Sequence, residues 1–413
     1  MAVSPVVTEL SRPATELRAA ASPLRSLASG QASSNGTPKP VGALRKNMGG
    51  NPPSLDLAEQ MNEDEKRKWV KGKKLGEGTY AVVFLGHLRD DPSTLVAIKK
   101  MKKVSKDYEE GMSHDAIREV KHLQELQHDN IIALRSVFSS KDQNLNLVLE
   151  FLPLGDLEIL IKGDQQRKIP GVRYGAADIK AWMGMLTRAV WFCHENFVLH
   201  RDIKPNNLLI AANGELKLAD FGLARGFADP YQYMTANVIT RWYRPPELLF
   251  GAKHYSGAVD IWSVGTIFAE IVLRNAYLPG GTELEQVKLI CEAIGTPTED
   301  NWPGVTKLRD YAVPSTNPVR GKAYYERTFE ILGPEGADLL MRTLTLNPNR
   351  RITAKEMLQH SYWLAQPQPT RKEDLPRKAG GEETMGADLK RRPGVVEEDR
   401  GSRIARKLDF GAG

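Results

Sequence analysis

The sequence predicts an α+β fold of two lobes, a small β-rich one followed by a larger helical one. Three observations carry that prediction. Short runs with strand-like alternation crowd the stretch from Trp69 to about Phe151. Helical runs, amphipathic or wholly apolar, dominate from about Leu152 to Leu364. Outside these limits the composition shifts to Ala, Ser, Pro, Gly and charge, which cannot supply a core.

Taken in order, residues 1–68 read as a disordered extension, with segments such as SPLRSLASGQASSNGTPKP and no hydrophobic leader. The small lobe, 69–151, holds five strand-like runs: VKGKKLG, AVVFLGHL, LVAIKKM, IIALRSVF and LNLVLEF. A helix from about Ser113 to Gln127 interrupts them. The large lobe, 152–364, holds the helical runs AADIKAWMGMLTRAVWFCHEN, VDIWSVGTIFAEIVL, ELEQVKLICEAIG, GADLLMRTLT and TAKEMLQHSYW. Residues 365–413 read as a largely disordered charged tail. No repeat of fixed period appears.

Composition narrows the class. Fifty-seven basic residues against 51 acidic ones leave +6 over 413 residues, a mixed-charge surface with no face dedicated to nucleic acid. Cys193 and Cys291 stand alone in apolar helical stretches and form no disulfide framework, which suits a reduced intracellular compartment. No apolar run approaches the ~18 residues of a membrane span. The expectation is a soluble, non-secreted protein with no membrane contact.

Three motifs carry chemistry. Leu75-Gly76-Glu77-Gly78-Thr79-Tyr80-Ala81-Val82-Val83 lies between two strand patterns, where Gly76 and Gly78 let the backbone approach phosphates. Its strand–turn–strand setting disfavours a dinucleotide site, which opens a helix. In Val96-Ala97-Ile98-Lys99, side-chain alternation places Ala97 and Lys99 on one face; Lys100 has the wrong parity to join them. Glu119, in the helix Asp115-Ala-Ile-Arg118-Glu119, is the expected partner of Lys99, while Arg118 points elsewhere because successive helical residues diverge by ~100°. Third, His200-Arg201-Asp202-Ile203-Lys204-Pro205-Asn206-Asn207 is followed by Asp220-Phe221-Gly222.

This last set resembles the catalytic loop and metal-binding motif of protein kinases, and with the first two it is identified as a kinase signature. The resemblance covers residues 69–364 and implies the two-lobed protein kinase fold. It implies Asp202 as acceptor of the substrate hydroxyl proton, with Lys204 and the Lys99–Glu119 pair completing the catalytic set. It implies ATP and Mg²⁺, the metal held by the hard oxygens of Asn207 and Asp220. Nucleotide contacts are implied for Leu75–Val83, Ala97, Lys99, the hinge residues Glu150 and Leu152, and Asp156. His200 and Phe221 read as packing residues. Glu247 is expected to pair with Arg351, and Asp260 to brace the catalytic loop.

Within the kinases, Met112-Ser-His-Asp-Ala-Ile-Arg-Glu119 is similar to the cyclin-binding helix of cyclin-dependent kinases. Ala81, Pro205-Asn-Asn-Leu-Leu209, Val238-Ile-Thr-Arg-Trp-Tyr-Arg244 and Ile294-Gly-Thr-Pro-Thr298 together resemble the cyclin-dependent kinase 7 branch, the CDK-activating, TFIIH-associated kinases. That resemblance implies a cyclin H-like partner, a third assembly subunit, the TFIIH core and a nuclear location. It also implies Ser/Thr-Pro substrates among RNA polymerase II repeats and other kinases' activation loops. Thr235 takes the position of the activating phosphorylation, with Arg118, Arg201 and Arg225 as matching cations. Leu149 stands where Phe is commoner, Pro245 replaces an Ala, and Leu152-Pro-Leu-Gly-Asp156 is one residue longer than in relatives. Asp229-Pro230 sets a fixed negative charge where relatives carry a second phosphorylatable Ser. A mitogen-activated kinase is disfavoured because Thr235-Ala-Asn lacks its T-x-Y pair. A pseudokinase scaffold is disfavoured because Asp202, Lys99, Asn207 and Asp220 are all present.

Overall fold

The computed structural model describes residues 56–78, 81–102, 114–164, 169–227, 234–236 and 238–377. Thr79, Tyr80, Met112, Ser113 and Asp229-Pro230 therefore lie outside the described residues. The small lobe is a five-stranded antiparallel sheet in the order β1 (Trp69–Glu77), β2 (Ala81–Leu88), β3 (Leu95–Met101), β5 (Leu145–Glu150), β4 (Leu134–Ser139). Alternation along β3 separates two apolar surfaces. Ala97 joins the main core, whereas Ile98 packs with Val96 and Val148 in a small cluster bordered by Trp69, Phe84 and Phe138. The fourth strand starts later than its apolar run suggests. Ile131 and Ile132 instead bridge to Leu218 of the large lobe, and Ile132 N–H donates to Leu218 O at 2.9 Å.

Helix α1 (Leu57–Lys68) corrects the expectation of disorder throughout 1–68. Asp56 caps it by accepting from Ala58 N–H at 3.0 Å, and the charge order, Glu59 early and Lys66-Arg67-Lys68 late, follows the helix dipole. Asn62 then fixes it to the edge strand β4, donating to Ser139 O at 3.0 Å and accepting from Ser139 N–H at 2.6 Å. Helix α2 (His114–Glu125) packs beside the sheet.

The large lobe follows with α3 (Leu157–Lys162), α4 (Ala176–Glu195), α5 (Pro246–Leu249), α6 (Ala258–Leu273), α7 (Glu283–Ala293), α8 (Lys322–Thr328), α9 (Gly333–Thr343) and α10 (Ala354–Leu358). Short strands β6 (Gly163–Asp164), β7 (Ile169–Pro170), β8 (Val198–Leu199), β9 (Leu208–Ile210), β10 (Leu216–Leu218) and β11 (Arg225–Gly226) pair as β6–β7, β8–β11 and β9–β10. Helix α6 is mostly apolar and buried from Val259 to Ile271, as a central core helix must be, with Asp260 and Glu270 among its few polar residues. Its own Trp262 and Phe268, and Trp182 of α4, are among the largest fully buried side chains. Residues 365–377, expected within the disordered tail, are seated on this lobe. Leu375 is buried, Thr370 Oγ1 donates to Asp178 at 2.6 Å, and Lys372 pairs with Glu215 at 2.5 Å. The two flanks thus order closer to the core than composition alone suggests, because each supplies polar groups to specific backbone and side-chain partners.

Candidate active site

The small lobe contributes a lysine held by two carboxylates. Lys99 Nζ lies 2.7 and 2.9 Å from the Glu119 oxygens and 3.0 Å from Asp220 Oδ1. The parity argument is borne out, since Lys100 turns to the opposite face and pairs with Asp142. Glu119 is 1% exposed, so burial pushes its carboxyl up while Lys99 opposes the rise. Burial pulls Lys99 down, yet Asp220 and Glu119 outweigh it and leave its pKa raised. The Lys99 ammonium in turn holds the Asp220 carboxyl down to about 2. Lysine and aspartate are therefore both fully charged at neutral pH. Above them, Gly78 N–H donates to Ala81 O at 2.9 Å, closing the Gly-rich turn, and Glu77 pairs with Lys102 at 2.6 Å and also with Lys74.

The large lobe presents the other half. Asp260 of α6 accepts from the backbone N–H groups of His200 at 3.0 Å and Arg201 at 2.9 Å, with His194 Nε2 2.9 Å away. Burial pushes that carboxyl up, but His194 and the surrounding donors hold it down, so it stays a charged anchor. The anchor supports Arg201 at φ 63° and Asp220 sits at φ 64°, left-handed conformations that cost about 1–3 kcal/mol each without such support. His200 Nδ1 accepts from Asp202 N–H at 3.3 Å, which leaves the proton on Nε2 to reach Ala219 O at 3.0 Å. Its ring meets Phe221 edge-on at 4.7 Å. These two residues pack, as expected, and join the catalytic loop to the Asp220 turn.

Asp202 itself is gripped from three sides. Asn207 Nδ2 donates to its backbone O at 2.8 Å and its Oδ2 at 3.1 Å, Lys204 Nζ lies 2.9 Å from Oδ2, and Thr240 Oγ1 donates to Oδ1 at 2.9 Å. Thr240 is a site residue that the sequence reading passed over; it appeared only within the branch-specific text Val238–Arg244. Because Asn207 spends its Nδ2 on Asp202, its Oδ1 is the atom left for a cation, and ionised Asp220 is a hard anionic ligand. This pair fits Mg²⁺, which takes one or two protein oxygens and draws the rest from phosphate and water. Among the described residues no group of three or more His, Cys, Asp or Glu could hold a metal unaided.

Other expected residues are placed less simply. Ala97 and Leu152 are buried, and Glu150 accepts from Ala133 N–H at 2.7 Å while Lys217 lies 3.1 Å away. Asp156, expected at the ribose, is 3% exposed and caps α3 by accepting from Ile159 N–H at 2.8 Å, a structural task the reading did not foresee. Gly155, just before it, sits at φ 79°. Thr235 is exposed. Arg201 is tied to it through Tyr255: Arg201 Nη1 donates to Tyr255 Oη at 3.0 Å, and Tyr255 Oη donates to Thr235 O at 2.9 Å. Arg118 instead turns to Asp115 at 3.2 Å, and Arg225 lies in β11 opposite Leu199. Glu247 and Arg351 pair as expected, at 2.7 and 3.0 Å.

A charged lysine, a carboxylate metal ligand, an amide oxygen and a gripped aspartate thus converge where the lobes meet. The sequence profile of the protein kinase domain matches residues 69–363. The chain belongs to the protein kinase family. The kinase is 47% identical over 303 residues to the serine/threonine-protein kinase KIN28 of Saccharomyces cerevisiae, covering 73% of this chain and 95% of that one. To cyclin-dependent kinase 7 of Dictyostelium discoideum it is 44% identical over 304 residues, 73% of this chain and 81% of that one. Among solved structures, a chain of the CAK complex from Chaetomium thermophilum bound to ATP-γ-S is similar at 68% identity. That match has a TM-score of 0.74 and covers 79% of this chain and all of the other. The kinase is accordingly a serine/threonine protein kinase of the KIN28 and cyclin-dependent kinase 7 type.

Proposed function

We propose that this kinase, bound to a cyclin H-like partner and a third assembly subunit, transfers the γ-phosphate of Mg²⁺·ATP to Ser or Thr followed by Pro. The observation that carries the substrate reading is the backbone at Ile239. It sits at φ 67°, and its carbonyl accepts from Arg244 Nε at 3.1 Å and Nη2 at 3.0 Å. A substrate chain running along this segment would need an acceptor for the N–H that follows its Ser or Thr. Here that acceptor is already taken, and Pro, which has no N–H, loses nothing.

The residues divide the work of transfer. Asp202, oriented by Asn207, Lys204 and Thr240, would take the hydroxyl proton, and Lys204 would face the transferred phosphoryl group. Lys99, held by Glu119, would position the nucleotide phosphates. Asn207 Oδ1 and Asp220 would hold Mg²⁺, which when bound neutralises charge on the phosphoryl oxygens. Phosphate on Thr235 would recruit Arg201, already linked to it through Tyr255, with Arg118 and Arg225 turning toward it. Similarity to the CAK complex and to cyclin-dependent kinase 7 supports cyclin dependence and assembly with further subunits. Association with TFIIH, a nuclear location, and RNA polymerase II repeats and other kinases' activation loops as substrates are what the resemblance to the cyclin-dependent kinase 7 branch implies. The test is a side-by-side assay of the assembled complex on both protein classes. Transfer to each is expected, and failure on both, with the complex intact, would overturn the reading.

A further inference from the structure

A polar chain crosses the large lobe from the catalytic loop to the segment that meets substrate. Asn206, beside Asn207, donates its Nδ2–H to Glu158 Oε2. Glu158 Oε1 lies 3.4 Å from Lys162 Nζ, one turn along α3. Lys162 Nζ lies 2.6 Å from Glu270 Oε1, and Tyr243 Oη donates to Glu270 Oε2 at 2.7 Å. Glu270, on α6, is fully buried, and Tyr243 is 5% exposed. The transfer chemistry uses none of the three groups Lys162, Glu270 and Tyr243.

A buried carboxylate needs partners for its charge, and losing one partner leaves the other to compensate alone. Burial pulls the Lys162 ammonium down, but Glu270 and Glu158 outweigh it and raise its pKa, so the pair stays ionic. Tyr243 precedes Arg244, and Ser263 Oγ of α6 donates to Tyr243 O at 2.9 Å. Side chain and backbone of Tyr243 are thus both fastened to the central helix. The next residue, Arg244, holds the carbonyls of Val238 and Ile239.

We propose that Lys162, Glu270 and Tyr243 are positioning residues for substrate choice: by fixing Tyr243 to α6 they hold Arg244 on the Ile239 carbonyl and so set the preference for Pro. This rests on the Ser/Thr-Pro reading above. Lys162 acts on Tyr243 through the Glu270 carboxylate that both of them meet. Its charge is the part that matters, so an arginine there preserves the effect and a methionine does not.

The test uses the full chain in its assembled complex and two peptides that differ only in Pro or Ala after the target Ser. For the unaltered kinase, kcat/KM favours the Pro peptide by roughly tenfold or more, as expected when a buried acceptor is otherwise engaged. Tyr243→Phe, which keeps the ring and removes the hydroxyl, lowers that ratio roughly tenfold, through a lower KM for the Ala peptide, whose N–H then finds the Ile239 carbonyl free. Lys162→Met moves the ratio the same way and Lys162→Arg restores it, while ATP hydrolysis without peptide stays unchanged. Lys162→Met also lowers Tm, because it strands the buried Glu270 carboxylate, and the ratio of the two peptides is independent of that loss. Should Tyr243→Phe fail to assemble, Lys162→Met decides alone, because the Lys162 side chain is 27% exposed. The proposal is overturned if both variants keep the original ratio, or lower both peptides by one common factor. Absence of Pro preference in the unaltered kinase would instead sink the underlying reading, and it shows before any substitution is made.

Discussion

Asp202 reaches its geometry through three neighbours, so changing its chemistry without its shape is the sharpest local probe. Asp202→Asn keeps size and most hydrogen bonds but accepts a proton far less well. Its kcat should fall roughly a hundred- to ten-thousandfold with Tm and cyclin binding retained; transfer at the original rate would refute the assigned base. Thr240→Val removes one orienting donor at 2.9 Å and should lower kcat more modestly than Asp202→Asn, with Thr240→Ser close to unaltered. His200 gives a pH signature. Burial depresses its pKa and keeps the folded ring neutral, so the unfolded chain, titrating near ~6.5, binds the proton first. Native stability should therefore decline as pH falls below about 6.5, down to the folded-state pKa, and His200→Asn should flatten that slope in urea unfolding. The Lys99–Glu119 pairing was legible because strand parity and helix angle fix it locally, whereas Asp202, Asn207 and Asp220 were picked out by their resemblance to the kinase motifs. Thr240 and Tyr255 were not, since each acquires its partner across more than thirty and about twenty residues of folded chain respectively, through tertiary closure that no local pattern encodes.

At the scale of elements, the strands and long helices followed their periodicities closely, and the misses have a common cause. Helix α1 carries no buried residue, so an apolar stripe could not announce it. What it does carry is an Asp cap, an acid-to-base gradient and Asn62, which closes two hydrogen bonds with the backbone of Ser139 on an edge strand. Asn62→Ala should cost about 1–3 kcal/mol, two hydrogen bonds' worth, in the urea unfolding of the small lobe, with KM for ATP unchanged. No loss of stability would mean that α1 rests on the sheet without supporting it. Asp156, expected at the ribose, also caps α3 by accepting from Ile159 N–H through Oδ1, a local task that the motif reading did not include.

At the scale of the whole molecule, one continuous apolar core runs through both lobes, and the ionic links that sequence spacing suggested are set into its polar margins. The Glu247–Arg351 pair, expected from the sequence, is buried more deeply and bonded more fully than the text alone suggests. The two residues are separated by 104 positions, yet their side chains are 3% and 0% exposed. Arg351 spends all five of its N–H donors there: Nε on Thr345 O at 2.9 Å, Nη1 on Glu247 Oε1 and Ala258 O, both at 2.7 Å, and Nη2 on Glu247 Oε2 at 3.0 Å and Leu346 O at 3.2 Å. Its guanidinium also lies 4.9 Å from the Trp262 ring on α6. The carbonyls come from two stretches and the Glu247 carboxylate from a third, so this one side chain ties α5, α6 and the segment after α9 into a single body. Arg351→Ala would strand a buried carboxylate and three carbonyls, and should destabilise the large lobe by about 3–5 kcal/mol in denaturant titration. Arg351→Lys, with three donors and no planar fork, should recover less than half of that loss, and full recovery would show that charge alone, without the fork, holds the lobe together.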